Sequence, residues 1–452
     1  MAEEKAPPAF EQISTLLARG KFVRARELLH AMDPADVAHL LESSPPKARL
    51  ALWQLVDPDQ EGDILDELSE DVQRGILKLM DADKVAAATE GMETDDLAYV
   101  LRGLPDEVYR KVLKAMDTQD RSRLEQVLSY ADDSAGAIMN TDTVTLRPDV
   151  TVDVVMRYLR RRGELPKGTD SLYVVNKADK LVGEVPLSVL VTAAPTDKVR
   201  EVMDAEPEPV HYTMAETDVA QLFARYDWYS APVVDDEGHL LGRITVDDVV
   251  DIIREDASHS MMSMAGLDDE EDTFAPVLKS TGRRTLWLGV NLLTALAAAA
   301  VSNLFEDTLA QLATLAVLMT IVPSMGGIAG SQTLTLVIRG MALGHIGTQN
   351  ARFLFTKEMA IGLLNGLIWA GLIALIVGIW KEDMTLAAII AFAMGINLIA
   401  AAAAGVVVPL VMKKFSIDPA LAGGVVLTTV TDVVGLFAFL GSATLLLTQH
   451  SL

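Results

Sequence analysis

The pattern of apolar and polar positions divides the chain near Thr281. Between Phe10 and Tyr130 apolar residues recur at helical spacing in short runs, each introduced by an acid or a proline suited to an N-cap or first turn. MDPADVAHLLE, DPDQEGDILDEL, SEDVQRGILKLM, METDDLAYVLRGL and DTQDRSRLEQVL are the clearest. They predict stacked helical hairpins, in a right-handed superhelix or a compact bundle, without a strict repeat period. After YADDSAGAIM, where Gly136 marks a turn, strand and helix signals alternate. Residues 174–190, VVNKADKLVGEVPLSVL, match VVDDEGHLLGRITVDDVV from Val233 at an offset of 59, which sets Gly183 against Gly242 and Pro186 against Thr245. Each copy reads strand, turn, strand, helix, after a helix at 152–162 or 219–226. Two such units predict a pseudo-twofold pair with a cleft between them.

Beyond Thr281 five stretches have the length and apolarity to cross a bilayer: Thr285–Phe305, Leu309–Ile338, Met359–Trp380, Leu386–Met412 and Leu421–Thr448. Basic residues flank alternate ends, as Arg283/Arg284, then Arg339/Arg352/Lys357, then Lys413/Lys414, whereas Glu306/Asp307 follow the first span. The positive-inside rule then predicts a multi-pass protein of the cell membrane with its N-terminus in the cytosol and its C-terminus outside. Within the second span, PSMGGIAGSQ (323–332) is expected either to break the helix and free backbone carbonyls along a wet cavity, or to kink it for close packing. Between the two regimes lies ASHSMMSMAGLDDEEDTFAPVLKS, a Met-rich stretch, an acidic run at 268–272 and a short helix, which is either a transmitter or a passive tether.

Charge sharpens the division. Only 8 of the 38 basic and 7 of the 63 acidic residues lie from Thr281 onward, which leaves 30 basic and 56 acidic groups and a net charge of −26 ahead of it. So acidic a body argues against a nucleic-acid partner and repels itself unless cations or solvent screen it. Cysteine is absent, which excludes disulfides and thiolate metal sites. MAEEKAPPAFEQ lacks the basic and apolar segments of a signal peptide, so the acidic part is expected in the cytosol.

One carboxylate, Asp432, falls inside the last apolar stretch, fourteen residues and about 21 Å of helix beyond Asp418. An ionised group near mid-membrane costs roughly 3 kcal/mol on insertion scales, so it needs a partner, water or a cation. Gly423, Gly424, Thr428, Thr429, Thr431 and Gly435 around it suit a helix that lines a narrow wet path, or one packed closely on a neighbour. With no other acid deep in a span, the ion path is favoured over a buried acid bonded to a facing helix. Asp63, Asp66, Glu67, Asp95 and Asp96, taken alone, read as solvated faces and caps. Asp248, Asp251 and Glu255 share one helix face at i, i+3 and i+7, where a divalent cation would relieve their repulsion.

The duplicated unit resembles a tandem pair of CBS domains. In that family a Gly-x-hydrophobic-Thr/Ser-x-x-Asp pattern offers hydroxyl and carboxylate groups to a nucleotide ribose; Gly242, Thr245 and Asp248 supply it in the second copy, while the first has Pro186 and Val189. With the helical N-terminal part, the connector and the five spans bearing PSMGGIAGSQ and DPALAGG…TDVVGL, the chain resembles MgtE-type magnesium channels over nearly its whole length. The expected fold is multidomain: an all-α superhelical N-terminal domain (1–131), an α/β tandem CBS pair (132–256), a plug-like connector helix (257–282) and a five-span α-helical transmembrane domain (283–452). The resemblance implies a homodimer in the lipid bilayer, not an enzyme, whose pore is lined by spans two and five with Asp432 facing hydrated Mg2+. It further implies regulatory Mg2+ bridged by Asp63, Asp95, Gly136 (backbone), Asp227, Asp248, Asp251, Asp256 and Asp418, with Glu216 as a substitute ligand, and ATP as a possible modulator at Thr245 and Asp248. Departures are His259 and Ser260 where the family's connector can carry paired glutamates, Tyr99 in place of an N-terminal acid, and Ile328 where Asn is frequent; they point to regulatory sites that are fewer, or displaced toward Asp268–Asp272. The competing readings are a proton- or sodium-coupled secondary transporter and a nucleotide-sensing membrane protein that moves nothing.

Overall fold

The computed structural model describes residues 9–450 except 91, 103, 117, 268–271, 312, 348 and 416. It forms two compact units, one of residues 1–256 with 270–275 and one of 257–269 with 276–452.

The first unit opens with ten short helices: α1 (Ala9–Ala18), α2 (Phe22–His30), α3 (Pro34–Glu42), α4 (Pro46–Trp53), α5 (Glu61–Asp66), α6 (Glu70–Leu77), α7 (Ala82–Ala88), α8 (Thr94–Arg102), α9 (Asp106–Ala115) and α10 (Thr118–Val127). Their starts follow the acid-and-proline punctuation. Asp33 accepts from the Ala35 amide ahead of Pro34, and Asp81 accepts from the amides of Asp83 and Lys84, satisfying donors that a helix N-terminus leaves open.

The repeat follows as β1 (Thr145–Leu146), α11 (Val152–Arg162), β2 (Ser171–Val175), β3 (Leu181–Pro186), α12 (Leu187–Thr192), α13 (Val199–Val202), β4 (Val210–His211), α14 (Glu216–Tyr226), β5 (Ser230–Val234), β6 (Leu240–Thr245) and α15 (Val246–Met264). The bounds of β2 and β3 map onto β5 and β6 at the offset of 59 seen in the sequence. Each half is a three-stranded sheet with its first pair parallel and its second antiparallel. In β3 a side chain at Gly183 would meet the Asp204 carbonyl at 2.6 Å and Met203 at 2.8 Å; in β6 one at Gly242 would meet the Asn140 carbonyl at 2.6 Å and Met139 at 3.0 Å. These glycines admit a bridging segment, Asp204 to Glu184 and Asn140 to Arg243. The second half shares one apolar core with the ten helices, while the first half keeps its own around Leu172, Val174 and Val185.

The second unit holds the remainder of α15 and then α16 (Val277–Asn303), α17 (Glu306–Gln311), α18 (Ala313–Leu318), α19 (Ile321–Ala342), α20 (Ala351–Lys381), α21 (Met384–Lys414) and α22 (Pro419–His450). Five candidate spans, by length and composition, lie within 280–303, 313–342, 351–381, 384–414 and 419–446. Their outward apolar side chains, such as Leu288, Leu367 and Ile379, are those expected to meet lipid.

Three expectations change. The short helix ahead of Arg283 is the first part of α16 itself. PSMGGIAGSQ does not interrupt its helix: Pro323 sits in the first turn of α19, where its missing N–H costs nothing, and the break falls earlier, at Met319–Thr320. The small residues there serve close packing, with Gly326 against the Asn397 side chain of α21 and Gly330 against Leu427 of α22. Finally, α20 begins eight residues ahead of Met359 and so carries Glu358 into the helix bundle, where the residue is 3% exposed. Asp432 is therefore not the only acid within a span.

Candidate ion path and acidic sensor sites

Asp432 stands about 20 Å along α22, a helix of 32 residues. One face of α22 is closed by packing: Gly423 lies against Leu334, Leu427 against Gly330, and Gly435 against Asn397, whose Nδ2 donates to the Val322 carbonyl at 2.7 Å. Gly424, Thr428 and Asp432, four residues apart, form a strip that stays half-buried or exposed. The hydroxyls of Thr428 and Thr429 turn back to the carbonyls of Gly424 and Val425, both at 2.8 Å. Among the described residues nothing donates to or pairs with the Asp432 carboxylate. Among the described residues, then, no bond joins this carboxylate to a facing helix. Next to Gly330, α19 exposes a comparable strip of Ser324, Ile328, Ser331 and Thr335.

At the start of α22, Asp418 caps the helix by accepting from the Ala420 amide at 2.9 Å, and its other oxygen lies 3.2 Å from His259 Nε2 on α15. His259, one of the departures from the family pattern, therefore meets Asp418, a residue that the resemblance offers as a ligand.

In the first unit Asp63, Asp66 and Glu67 are exposed, as solvated faces would be, whereas Asp95 is buried and Glu93 and Asp96 are half-buried. Asp95, at the start of α8, is 7% exposed, and burial, then the nearby Asp248, raises its pKa well above the usual carboxylate range. Oxygens of Glu93, Asp95 and Asp96 all lie within 4.8 Å of one another. Asp66 and Asp96 hydrogen-bond carboxyl to carboxyl; loss of water around each, with the neighbouring charge, pushes Asp66 up to about 6 and Asp96 up to about 8. Asp248 joins from α15. Its Oδ2 accepts from the Thr245 amide at 3.1 Å and the Thr245 hydroxyl at 2.7 Å, and burial together with Asp247 and Asp96 pushes it up to about 7. Lys167 supplies local positive charge, and its ammonium lies 3.8 Å from Asp63. This is a cluster of oxygen donors short of positive charge, which is what a hard dication replaces protons in.

A second group gathers around Glu216 on α14, pushed up to about 7 by burial, Asp133, Glu255 and Asp256 in addition. Asp251 is exposed, pairs with Arg254 at 3.5 Å and adds its charge to the burial that raises the pKa of Glu67. Asp256 is exposed and acts on Glu216 through its field. Asp227 is an exposed αL residue that ends α14, and among the described residues nothing groups it with the others. Gly136 is buried, its amide donating to the Tyr212 carbonyl at 2.8 Å and its Cα packed on Tyr130. In the connector, residues 268–271 lie outside the described residues, and Asp272 is held by both terminal nitrogens of Arg49 at 2.8 and 3.2 Å.

Sequence reasoning reads Asp66 and Asp96 as solvated faces, which the exposure of Asp66 bears out and the half-burial of Asp96 does not, and it does not single out Glu93 or Glu358. The signal for the first three was present as EGMETDD following DILDELSED, an acid density beyond what caps require. Glu358 falls just outside the span expected from Met359, because α20 begins two turns earlier.

Known proteins resemble the chain over nearly all of it. A family model described as the MgtE intracellular N domain matches residues 32–133, CBS domain models match 135–195 and 199–255, and the MgtE model, a divalent cation transporter, matches 319–442. A Bacillus subtilis protein named magnesium transporter MgtE is 30% identical over 98% of this chain and 97% of its own length; a Thermus thermophilus protein of the same name is 29% identical over 98% and 99%. The solved cytosolic domain of the Mg2+ channel MgtE in complex with ATP, 30% identical, superposes with a TM-score of 0.50 over 54% of this chain and 99% of that one. By its domain order, its five apolar helices and a relative of this identity over nearly full length, the chain belongs to the MgtE family.

Proposed function

We propose that the chain is a magnesium channel of the cell membrane, working as a homodimer and closed by cytosolic Mg2+ that binds its acidic soluble domains. Asp432 carries this reading. A carboxylate without a partner, on a polar strip of a spanning helix, is costly alone and is compensated when a hydrated dication passes. Mg2+ gives up its water reluctantly, so two copies of Asp432 across a dimer axis would hold the ion through its own waters. The names of the Bacillus and Thermus relatives support magnesium as the cargo. The basic flanks support a cytosolic N-terminus and an outer C-terminus.

Closure follows from the same electrostatics. Asp66, Glu93, Asp95, Asp96 and Asp248 crowd one site, and Mg2+ bound there favours whichever arrangement keeps them together. Asp63, Glu216, Asp227, Asp251, Asp256, Asp418 and the Gly136 carbonyl remain further ligands under this proposal, with Asp227 the least supported by its surroundings. ATP is the proposed modulator, since the cytosolic domain of the related channel was solved with it. Its ribose would meet Thr245 and Asp248, and Asp248 is already committed to capping α15 and faces Asp96, so nucleotide and Mg2+ compete for that carboxylate.

Flux into proteoliposomes tests the reading. Asp432→Asn is expected to bring Mg2+ entry to background with assembly intact; unchanged entry removes the pore assignment. An imposed proton or sodium gradient that drives uphill Mg2+ uptake would establish the coupled transporter instead. Neutralising Asp248 and Asp251 together is expected to leave the channel conducting at millimolar cytosolic Mg2+, and full closure in patch recordings would count against the acid-bridge account.

A further inference from the structure

A cavity of about 190 Å³ with mixed polar and apolar walls opens between α19 and α20 and is floored by Leu398 and Ala402 of α21. Gln332 and Thr333 form one wall, and Lys357, Glu358 and Asn365 the other. Glu358 is 3% exposed; its Oε2 accepts from the Thr333 hydroxyl at 3.2 Å, while its Oε1 has no hydrogen-bond partner. The Lys357 ammonium stands 3.5 Å from that oxygen, and its side chain is half exposed. A buried carboxylate oxygen left unmatched beside a cation at the mouth asks for a ligand that brings a donor for the acid and an anion for the base.

Depth says which ligand is at hand. The 31 residues of α20 extend about 46 Å, roughly 16 Å more than the hydrocarbon core, so about 8 Å projects at either end. Glu358 lies seven residues, about 10 Å, from the helix start, at the level where headgroups meet hydrocarbon. The volume holds about six waters at about 30 Å³ each, or a phosphate with a short amino-bearing arm.

We propose that this cavity binds the headgroup of a phosphatidylethanolamine-type lipid, its ammonium on Glu358 Oε1 and its phosphate on Lys357. Gln332 and Asn365 complete the polar wall, and the exposed Leu336 and Ile361 border the mouth for the acyl chains. A bound dication fits less well, because it brings no anion for the Lys357 ammonium that stands 3.5 Å from Oε1, whereas a zwitterionic headgroup matches both charges. The site is separate from Asp432, and its occupation does not depend on the transport reading.

The test is native mass spectrometry of the full-length protein released from nanodiscs of equal phosphatidylethanolamine and phosphatidylglycerol. The wild type is expected to retain phosphatidylethanolamine in preference, and Glu358→Gln and Lys357→Met each to lower that retention about tenfold, the equivalent of one charge-assisted hydrogen bond. Lys357→Met alters an exposed side chain and keeps the test decisive should the buried Glu358→Gln variant fail to fold. Equal retention of phosphatidylglycerol, retention unchanged in both variants, or displacement of the lipid by millimolar Mg2+ would each overturn the assignment.

Discussion

Gly326 and Gly327 differ by one position and by everything around them. A methyl group on Gly326 would run into the Asn397 amide, whereas one on Gly327 would meet nothing within 4 Å. Asn397 cannot give way, since it is fully buried and its Nδ2 is bonded to Val322. Gly326→Ala is therefore expected to destabilise the membrane domain by about 1–3 kcal/mol and Gly327→Ala to leave it unchanged, read as melting temperatures of the two variants in the same detergent. Equal shifts would mean that the helices part more readily than their packing implies. Residues of this kind were half legible: the run of small residues in α19 announced either a break or a close contact, and only the position of Asn397 on another helix decides between them. Asp432 was legible because a lone charge in an apolar stretch needs no tertiary information. Glu358 was not, because its significance depends on where a helix starts.

At the scale of elements, α8 and α15 bring together acids more than 150 positions apart in the chain, and no sequence pattern announces that meeting. The sequence did announce the elements themselves, through caps at Asp33 and Asp81 and through the offset that relates β2 and β3 to β5 and β6. A pH dependence belongs here. Asp66 at about 6, Asp248 at about 7 and Asp96 at about 8 are all raised above the 3.8 of an ordinary aspartate, so from about pH 4 to pH 8 the folded state binds more protons than the unfolded chain. Stability of the metal-free protein accordingly falls as pH rises through that window. Thermal denaturation in chelator is expected to show a lower melting temperature at pH 8 than at pH 5, with the slope flattened by millimolar Mg2+ or by Asp96→Asn. A slope indifferent to both would show that these acids titrate as isolated surface groups. The Arg49–Asp272 pair, with side chains 8% and 11% exposed, makes a second case. Arg49→Met leaves a sheltered carboxylate without its cation, so a cost of about 3 kcal/mol and faster proteolytic cleavage near Asp272 are expected.

At the scale of the whole molecule, the exchange of segments within the duplicated unit governs how it can come apart. Asn140 bridges to β6 before the chain reaches β1, and Asp204 bridges to β3 before it reaches β4. Each copy thus borrows its closing edge from chain that goes on to build the other, and Met139 and Met203 are the pegs that seat those edges on Gly242 and Gly183. No single scission between the copies yields two whole pieces: a fragment ending at 195 lacks the peg for Gly183, and one starting at 199 lacks the peg for Gly242. The pair is interlaced, so a cut at the boundary between residues 195 and 199 undoes the closing edges of both copies at once.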